Sequence, residues 1–289
     1  MCQTLFRIPI PFIGSVAIYG FGLMLVVGWL AGTWVGSWRA RREGLKVDIA
    51  DLGFWMLIGG IVGARLFYFV QHGQRFGGLL DFFKIWEGGL VWYGGVIGAV
   101  VTFIWQVRRK KLPAWKLCDV LAPAVALGMA FGRVGCFLNG CCYGDPTDLP
   151  WAAHFPQDSI PYVEQVRRGM LDAAANQSLG VHPTQLYSAV DGLVLFLLLT
   201  AYFPVRRRDG EVTALLATVY PITRFLIEYL RNDELPIGGT GLTISQNISV
   251  LVLAVGIALW VWLLRRPATY PAVESPPAAS APPAVAAKR

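Results

Sequence analysis

The stretch Ile8–Trp38, IPIPFIGSVAIYGFGLMLVVGWLAGTWVGSW, contains no charged residue. A helix needs about 20 mostly apolar residues to cross the hydrocarbon core of a bilayer, and this run is longer than that. Gly88–Val107 and Leu235–Leu264 are also free of charge. Across the 289 residues, 55% are hydrophobic and only 15% charged, against roughly 25% charged in a soluble domain. So many apolar runs exceed what one water-soluble core can bury. The expected fold is an all-α integral membrane protein. The first run is too long for the apolar core of a secretory leader and no basic cluster precedes it, so it is expected to remain as a span.

Working outward, seven transmembrane spans are predicted near Ile13–Trp38, Asp51–Phe69, Leu90–Val107, Leu117–Leu138, Gln185–Phe203, Val212–Leu230 and Asn247–Leu264. The connecting segments order them. Arg39, Arg41, Arg42 and Lys46 follow the first span, and Arg108, Arg109, Lys110, Lys111 and Lys116 follow the third. Arg206, Arg207 and Arg208 follow the fifth, and Arg265 and Arg266 the seventh. The other side carries only Arg7, Arg75, Lys84, Arg167, Arg168 and Arg231. Basic residues mark the cytoplasmic side, so the amino terminus is expected outside and the carboxyl terminus in the cytoplasm. The formal charge of +7 therefore reflects topology rather than a groove for nucleic acid.

The domain expectation is a membrane unit over residues 1–266. An Ala/Pro-rich tail over 267–289 is expected to be disordered and cytoplasmic. The longest connection, Gly140–Thr184, falls outside and holds Asp145, Asp148, Asp158 and Asp172. It is expected to form a small extramembrane cap (about 140–184), helical around Pro161–Ala175. No internal repeat is visible, which argues against a transporter built from inverted halves.

Three arginines fall inside predicted spans: Arg65, Arg133 and Arg224. An arginine at the bilayer centre costs a few kcal/mol, so such residues normally face a protein interior or a wet cavity. Arg224 has a partner of opposite charge in Glu228, four residues on and on the same helical face. Packing by ion pairs and binding of an anion are both open for it. Asp119, Asp191 and Glu228 need not neutralise all three arginines, however, and a guanidinium fork suits phosphate. A lipid phosphate in an outward-opening cavity is the expectation. Gly59, Gly60 and Gly63, and Gly94, Gly95 and Gly98, are spaced for close helix packing. Cys136, Cys141 and Cys142 follow no usual zinc spacing. They are read as packing residues, with no metal expected.

The motifs resemble one family. Gly132-Arg133-Val134-Gly135-Cys136-Phe137-Leu138-Asn139-Gly140-Cys141-Cys142-Tyr143-Gly144 is similar to the signature of the prolipoprotein diacylglyceryl transferases. Trp86-Glu87-Gly88-Gly89-Leu90, Tyr93-Gly94-Gly95-Val96-Ile97-Gly98 and His182-Pro183-Thr184-Gln185-Leu186-Tyr187 resemble further motifs of that family. So do Arg224-Phe225-Leu226-Ile227-Glu228 with Arg231, and Gly241-Leu242-Thr243-Ile244-Ser245-Gln246. The resemblance implies a seven-span enzyme of the bacterial inner membrane. It would move the diacylglyceryl group of phosphatidylglycerol onto the lipobox cysteine of a prolipoprotein signal peptide, releasing glycerol phosphate and using no cofactor.

By the same resemblance, Arg133 and Arg224 match essential arginines, and Tyr93 and Glu228 complete the expected catalytic set. Arg65, Gly94, Gly95, Asn139, Gly144, His182 and Arg231 are expected at the substrates. Three positions depart from the pattern. Tyr93 stands where many members carry histidine, Phe21 where they carry tyrosine, and Cys136 where some carry asparagine. A tyrosine of ordinary pKa, about 10, is a poor base, so Tyr93 is read as a hydrogen-bond donor. The base stays open among Glu228, a lipid phosphate oxygen and bulk exchange. The competing readings are a non-catalytic paralogue that binds phosphatidylglycerol or lipoproteins, and an anion transporter.

Overall fold

The computed structural model describes residues 4–10, 14–73, 82–83, 89–231 and 241–271. Trp86, Glu87 and Gly88 of the second motif, Arg75 and Lys84, and the tail from residue 272 lie outside the described residues.

The chain opens with an antiparallel hairpin of β1 (Thr4–Ile10) and β2 (Gly14–Tyr19), in which Phe6 pairs with Ile18 and Ile8 with Val16. Helix α1 begins only at Gly20 and runs to Arg42. The first span was expected from Ile13, so its start moves by about two turns. The reason lies in residues 4–19. Phe6, Ile8 and Ile10 alternate with period two, and Val16 and Ile18 are β-branched. Pro9 and Gly14 also disfavour helix.

The other helices fall close to the predicted spans: α2 (Ile49–His72), α3 (Trp92–Arg109), α4 (Ala114–Asn139), α6 (Thr184–Tyr202), α7 (Glu211–Glu228) and α8 (Ile244–Leu264). Five of them, α1, α2, α4, α6 with the short turn Phe203–Val205, and α8, are long and apolar enough to cross a membrane. The remaining two, α3 and α7, have 18 residues each and carry more polar ends. Their outward surfaces are apolar: Leu57, Val62 and Leu66 on α2, Val194 and Leu197 on α6, and Leu251 and Val255 on α8 are all exposed. Faces of this kind are matched by lipid rather than water.

Small residues set the contacts between helices. Along α1, Gly28 lies under Phe131, and Gly32 and Gly36 lie beside Ala124 of α4. Gly59 and Gly63 of α2 meet Gly94 and Gly98 of α3 so closely that a Cβ at Gly98 would overlap the Gly59 carbonyl. Gly192 of α6 rests on Ala126 and Ala130, and Gly256 of α8 on Ala217 of α7. Helices α2 and α3 pack chiefly on each other, while α1, α4, α6, α7 and α8 form a chain of neighbours.

The basic clusters gather at one end of the bundle. Arg206 bonds to Glu43 at 2.6 Å, Lys116 approaches Glu43 at 3.3 Å and Lys110 pairs with Asp51 at 2.6 Å. Arg208 donates to the Arg266 carbonyl at 2.9 Å. Residues 267–271, the described part of the expected tail, follow α8. The Thr269 and Tyr270 amides bond the Arg207 carbonyl, and the Tyr270 hydroxyl donates to Asp209 at 2.7 Å. Hydrogen bonds to the Arg207 carbonyl, Arg206 and Asp209 hold these residues.

At the other end, residues 140–183 link α4 to α6 through α5 (Ile160–Arg167) and isolated bridges from Pro146 and Ala153 to Val181. The expected helix over 161–175 is cut to eight residues. Gly169 takes φ +70°, a left-handed turn that ends it. Phe155, Tyr162 and Val181 give this segment a small buried centre.

Candidate active site

Arg224 lies one turn before the end of α7. Its Nη1 donates to the Glu228 carboxylate, and its Nη2 donates to Ser245 Oγ at 3.0 Å. Glu228 is almost wholly buried. It also accepts from Thr243 Oγ1 at 3.3 Å, and Arg231 Nε stands 3.9 Å from its other side. Thr243 caps α8 in a reciprocal box with Gln246, which fixes the hydroxyls beside Arg224. Ser245 and Thr243 were not anticipated as site residues. The Thr-x-x-Gln spacing was the signal that could have revealed them.

The end of α4 supplies the second part. Gly140 takes φ +75° and closes the helix. The chain then doubles back, and the thiols of Cys136, Cys141 and Cys142 all come within 4.8 Å of one another. Asn139 is within hydrogen-bonding reach of the Cys141 thiol. At Cys142 the neighbouring thiols of Cys136 and Cys141 favour the thiolate most. Burial opposes it, and the positive charges of Arg231 and Arg133 add to it. Gly144 fits where a side chain would collide with the Leu230 carbonyl, His182 and Thr184. Its amide bonds to the His182 carbonyl at 2.9 Å, and the Asp145 amide bonds to the Leu230 carbonyl at 2.9 Å. This loop is thereby fastened to the end of α7. His182 Nδ1 lies 3.3 Å from the Tyr187 hydroxyl.

Helices α4 and α7 bring the two arginines to one level. Asp119 near the start of α4 accepts from the Gly210 and Thr213 amides at the start of α7, at 2.7 and 2.9 Å. At their far ends the loop after α4 bonds to Leu230. The helices are thus parallel neighbours. At 1.5 Å per residue, Arg133 and Arg224 each lie about 20 Å above that shared base. Arg231 adjoins Glu228 at 3.9 Å, and the positive charges of Arg231 and Arg133 both favour the Cys142 thiolate.

The carboxylates are already spoken for. Asp119 caps α7, Asp191 accepts from Thr223 at 3.0 Å, and Glu228 holds Arg224. Among the described residues Arg133, half-buried in an apolar helix, has no hydrogen-bonded or ion-pair partner. That leaves a guanidinium with its donors available to an anion.

Residues expected on α2 and α3 lie where these two helices pack on each other. Arg65 is buried, donating from Nε to the Phe82 carbonyl at 2.9 Å and from Nη1 to the Gly89 carbonyl at 3.2 Å. These bonds tie it to the connection between α2 and α3. Gly94 sits against Gly63 and Phe67, where any side chain would overlap both, and Gly95 faces Gly60 and Ala64. Packing accounts for Gly94. Tyr93, in the first turn of α3, is exposed by 41%.

A family model described as prolipoprotein diacylglyceryl transferase matches residues 8–262. The chain is 35% identical over 272 residues to the phosphatidylglycerol–prolipoprotein diacylglyceryl transferase of Synechococcus elongatus, covering 91% of this chain and 90% of the relative. It is 33% identical to the enzyme of that name from Paracidovorax citrulli, over 89% and 95% of the two chains. For the Vibrio cholerae protein the identity is 32%, over 89% and 92%.

Proposed function

Since the chain belongs to the prolipoprotein diacylglyceryl transferase family, we propose that it transfers the diacylglyceryl group of phosphatidylglycerol to the lipobox cysteine of prolipoproteins. Phosphatidylglycerol and a prolipoprotein are named as substrates in its relatives. The observation that carries the reading to these residues is Arg133. It is a half-buried cation with no carboxylate partner among the described residues, level with Arg224, at a position suited to a phosphodiester.

In this reading the thiolate of the incoming peptide attacks the glyceryl carbon that bears the phosphate. A C–S bond forms, the C–O bond breaks, and the electron pair leaves with glycerol phosphate. Negative charge therefore grows on the phosphate oxygens. Arg133 and Arg224 meet that charge with donors already oriented in a site poor in water, which is where such stabilisation is largest. Glu228, gripped by Arg224 and flanked by Arg231, acts as the anchor that aims Arg224. Tyr93 donates a hydrogen bond from α3. Asn139, Gly144 and His182 shape the loop over Arg133, and Arg65 holds the α2–α3 connection. The nucleophile comes with the substrate, so none of the protein's own cysteines is consumed.

The proposed topology has seven spans in the bacterial inner membrane, with α3 and α7 as the two short ones. The end bearing Arg206, Lys116 and Arg266 is cytoplasmic and the segment 140–183 is an outer cap. The grouping of basic residues at one end supports this orientation.

The test is direct. Purified protein, phosphatidylglycerol vesicles and a synthetic lipobox peptide should yield a peptide carrying thioether-linked diacylglycerol. Well-folded protein that binds the lipid and never forms that product would end the catalytic reading in favour of a lipid-binding paralogue.

A further inference from the structure

Cys136, Cys141 and Cys142 are far better organised than packing requires. Their Sγ atoms lie within 4.8 Å of one another. Two of them lie on a strained and firmly held piece of backbone. Cys142 adopts φ +60°, a left-handed conformation that a non-glycine residue holds only at a cost of about 1–3 kcal/mol. Its carbonyl accepts from Thr184 Oγ1 at 2.9 Å, and the Cys141 carbonyl accepts from Gln185 Nε2 at 2.8 Å. Thr184 and Gln185 are completely buried at the start of α6. The Cys141 amide bonds back to the Cys136 carbonyl at 3.1 Å. Backbone contacts from α4 and α6 hold the three residues in place, and the Cys141 thiol donates to the Cys136 carbonyl at 3.7 Å.

We propose that these three thiols form a binding site for one thiophilic metal ion, Cu(I), with the sulfurs as its ligands. A metal–sulfur bond of about 2.3 Å sets trigonal sulfurs about 4 Å apart, so the cluster needs a contraction of less than about 1 Å. Soft thiolates suit Cu(I), zinc and iron–sulfur clusters, and of these only Cu(I) is content with three sulfurs. A closed zinc site asks for four ligands, and among the described residues no histidine or carboxylate joins these three thiols. Charge favours the assignment too. Three thiolates around Cu(I) leave a net charge of −2, and the cluster follows directly on the helix turn that carries Arg133. The C-x4-C-C spacing follows no usual zinc pattern along the chain. Here the left-handed turns at Gly140 and Cys142 fold the pair back onto the last turn of α4. The site does not depend on the transfer reaction, and its test uses no activity measurement.

The experiment is anaerobic competition between the reduced full-length protein in detergent and a chromogenic Cu(I) chelator. The wild type should withdraw one equivalent of Cu(I). Cys136→Ser and Cys142→Ser should each weaken uptake at least tenfold, and Cys118→Ser, remote from the cluster, should leave it unchanged. Cu(I) should also raise the thermal midpoint of the wild type and of Cys118→Ser, but not of the double variant C136S/C142S. Wild-type protein that takes up no Cu(I), or a double variant that still takes up one equivalent, overturns the proposal. So does wild-type protein recovered without reductant in which two of these thiols are joined as a disulfide, which would make the cluster a redox pair.

Discussion

The Arg224 guanidinium is ion-paired with Glu228 one helical turn further along α7, and the carboxylate is buried almost completely. Ser245 and Thr243 from the start of α8 hold the two groups from above. Arg133, at the same level of α4, has no such partner among the described residues. The two arginines that resemble each other in the sequence therefore differ in what their removal does to the fold.

Arg224→Ala strands a buried carboxylate, and breaking one side of a buried pair costs about 3 kcal/mol or more. Transfer should be lost, and the thermal midpoint in detergent should fall. The double variant R224A/E228A should regain much of the stability and none of the activity. If Arg224→Ala were as stable as the wild type, the pair would not be the anchor described here.

Arg133→Ala should abolish transfer while leaving the thermal midpoint unchanged or raised. A guanidinium without an ion-pair partner is expensive to hold in an apolar helix, and among the described residues its loss strands no carboxylate. Thermal unfolding and phosphatidylglycerol binding by the same preparation check this, and retained lipid binding at wild-type affinity would remove Arg133 from the site.

Tyr93→Phe should lower the transfer rate only a few-fold, about the effect of one neutral hydrogen bond of roughly 1 kcal/mol. Tyr93→His should keep or raise it. Total loss in Tyr93→Phe would mean that the hydroxyl does more than donate a hydrogen bond.

Gly94→Ala should open the α2–α3 contact, because the new methyl would overlap the Gly63 carbonyl and Phe67. Overpacking of this kind costs about 1–3 kcal/mol. Gly95→Ala, which meets only ordinary van der Waals contacts at 3.6 Å, should be tolerated. Comparing the two thermal midpoints separates packing from lipid contact along this helix.

At the opposite end, Arg206→Ala should destabilise the fold without touching the arginine site. Arg206 is buried, holds Glu43 and the Phe203 carbonyl, and donates to Tyr270 at 3.2 Å. Burial pushes the Tyr270 hydroxyl up to about 12, aided by its bond to Asp209. A raised pKa means the folded state keeps this proton while the unfolded chain loses it near pH 10. Stability from Tyr270 is therefore full below about pH 10 and is lost as pH rises towards about 12. Thermal scans across that range should show the decline in wild type and a smaller one in Tyr270→Phe.

The sequence by itself determined the membrane helices, the grouping of basic residues and the identity of the arginine motifs. Each of these is a local property, decided by the hydropathy and charge of consecutive residues. Only tertiary structure decided that Gly14–Tyr19 would pair as a strand, that Thr269 and Tyr270 would dock, and that Arg224 would be paired while Arg133 has no such partner among the described residues. It alone turned Cys136, Cys141 and Cys142 into one cluster, through bonds from Thr184 and Gln185 more than forty positions away. Hydrogen-bond partners are chosen by proximity in space. No hydropathy pattern along the chain records which carboxylate, hydroxyl or carbonyl a folded backbone will bring alongside.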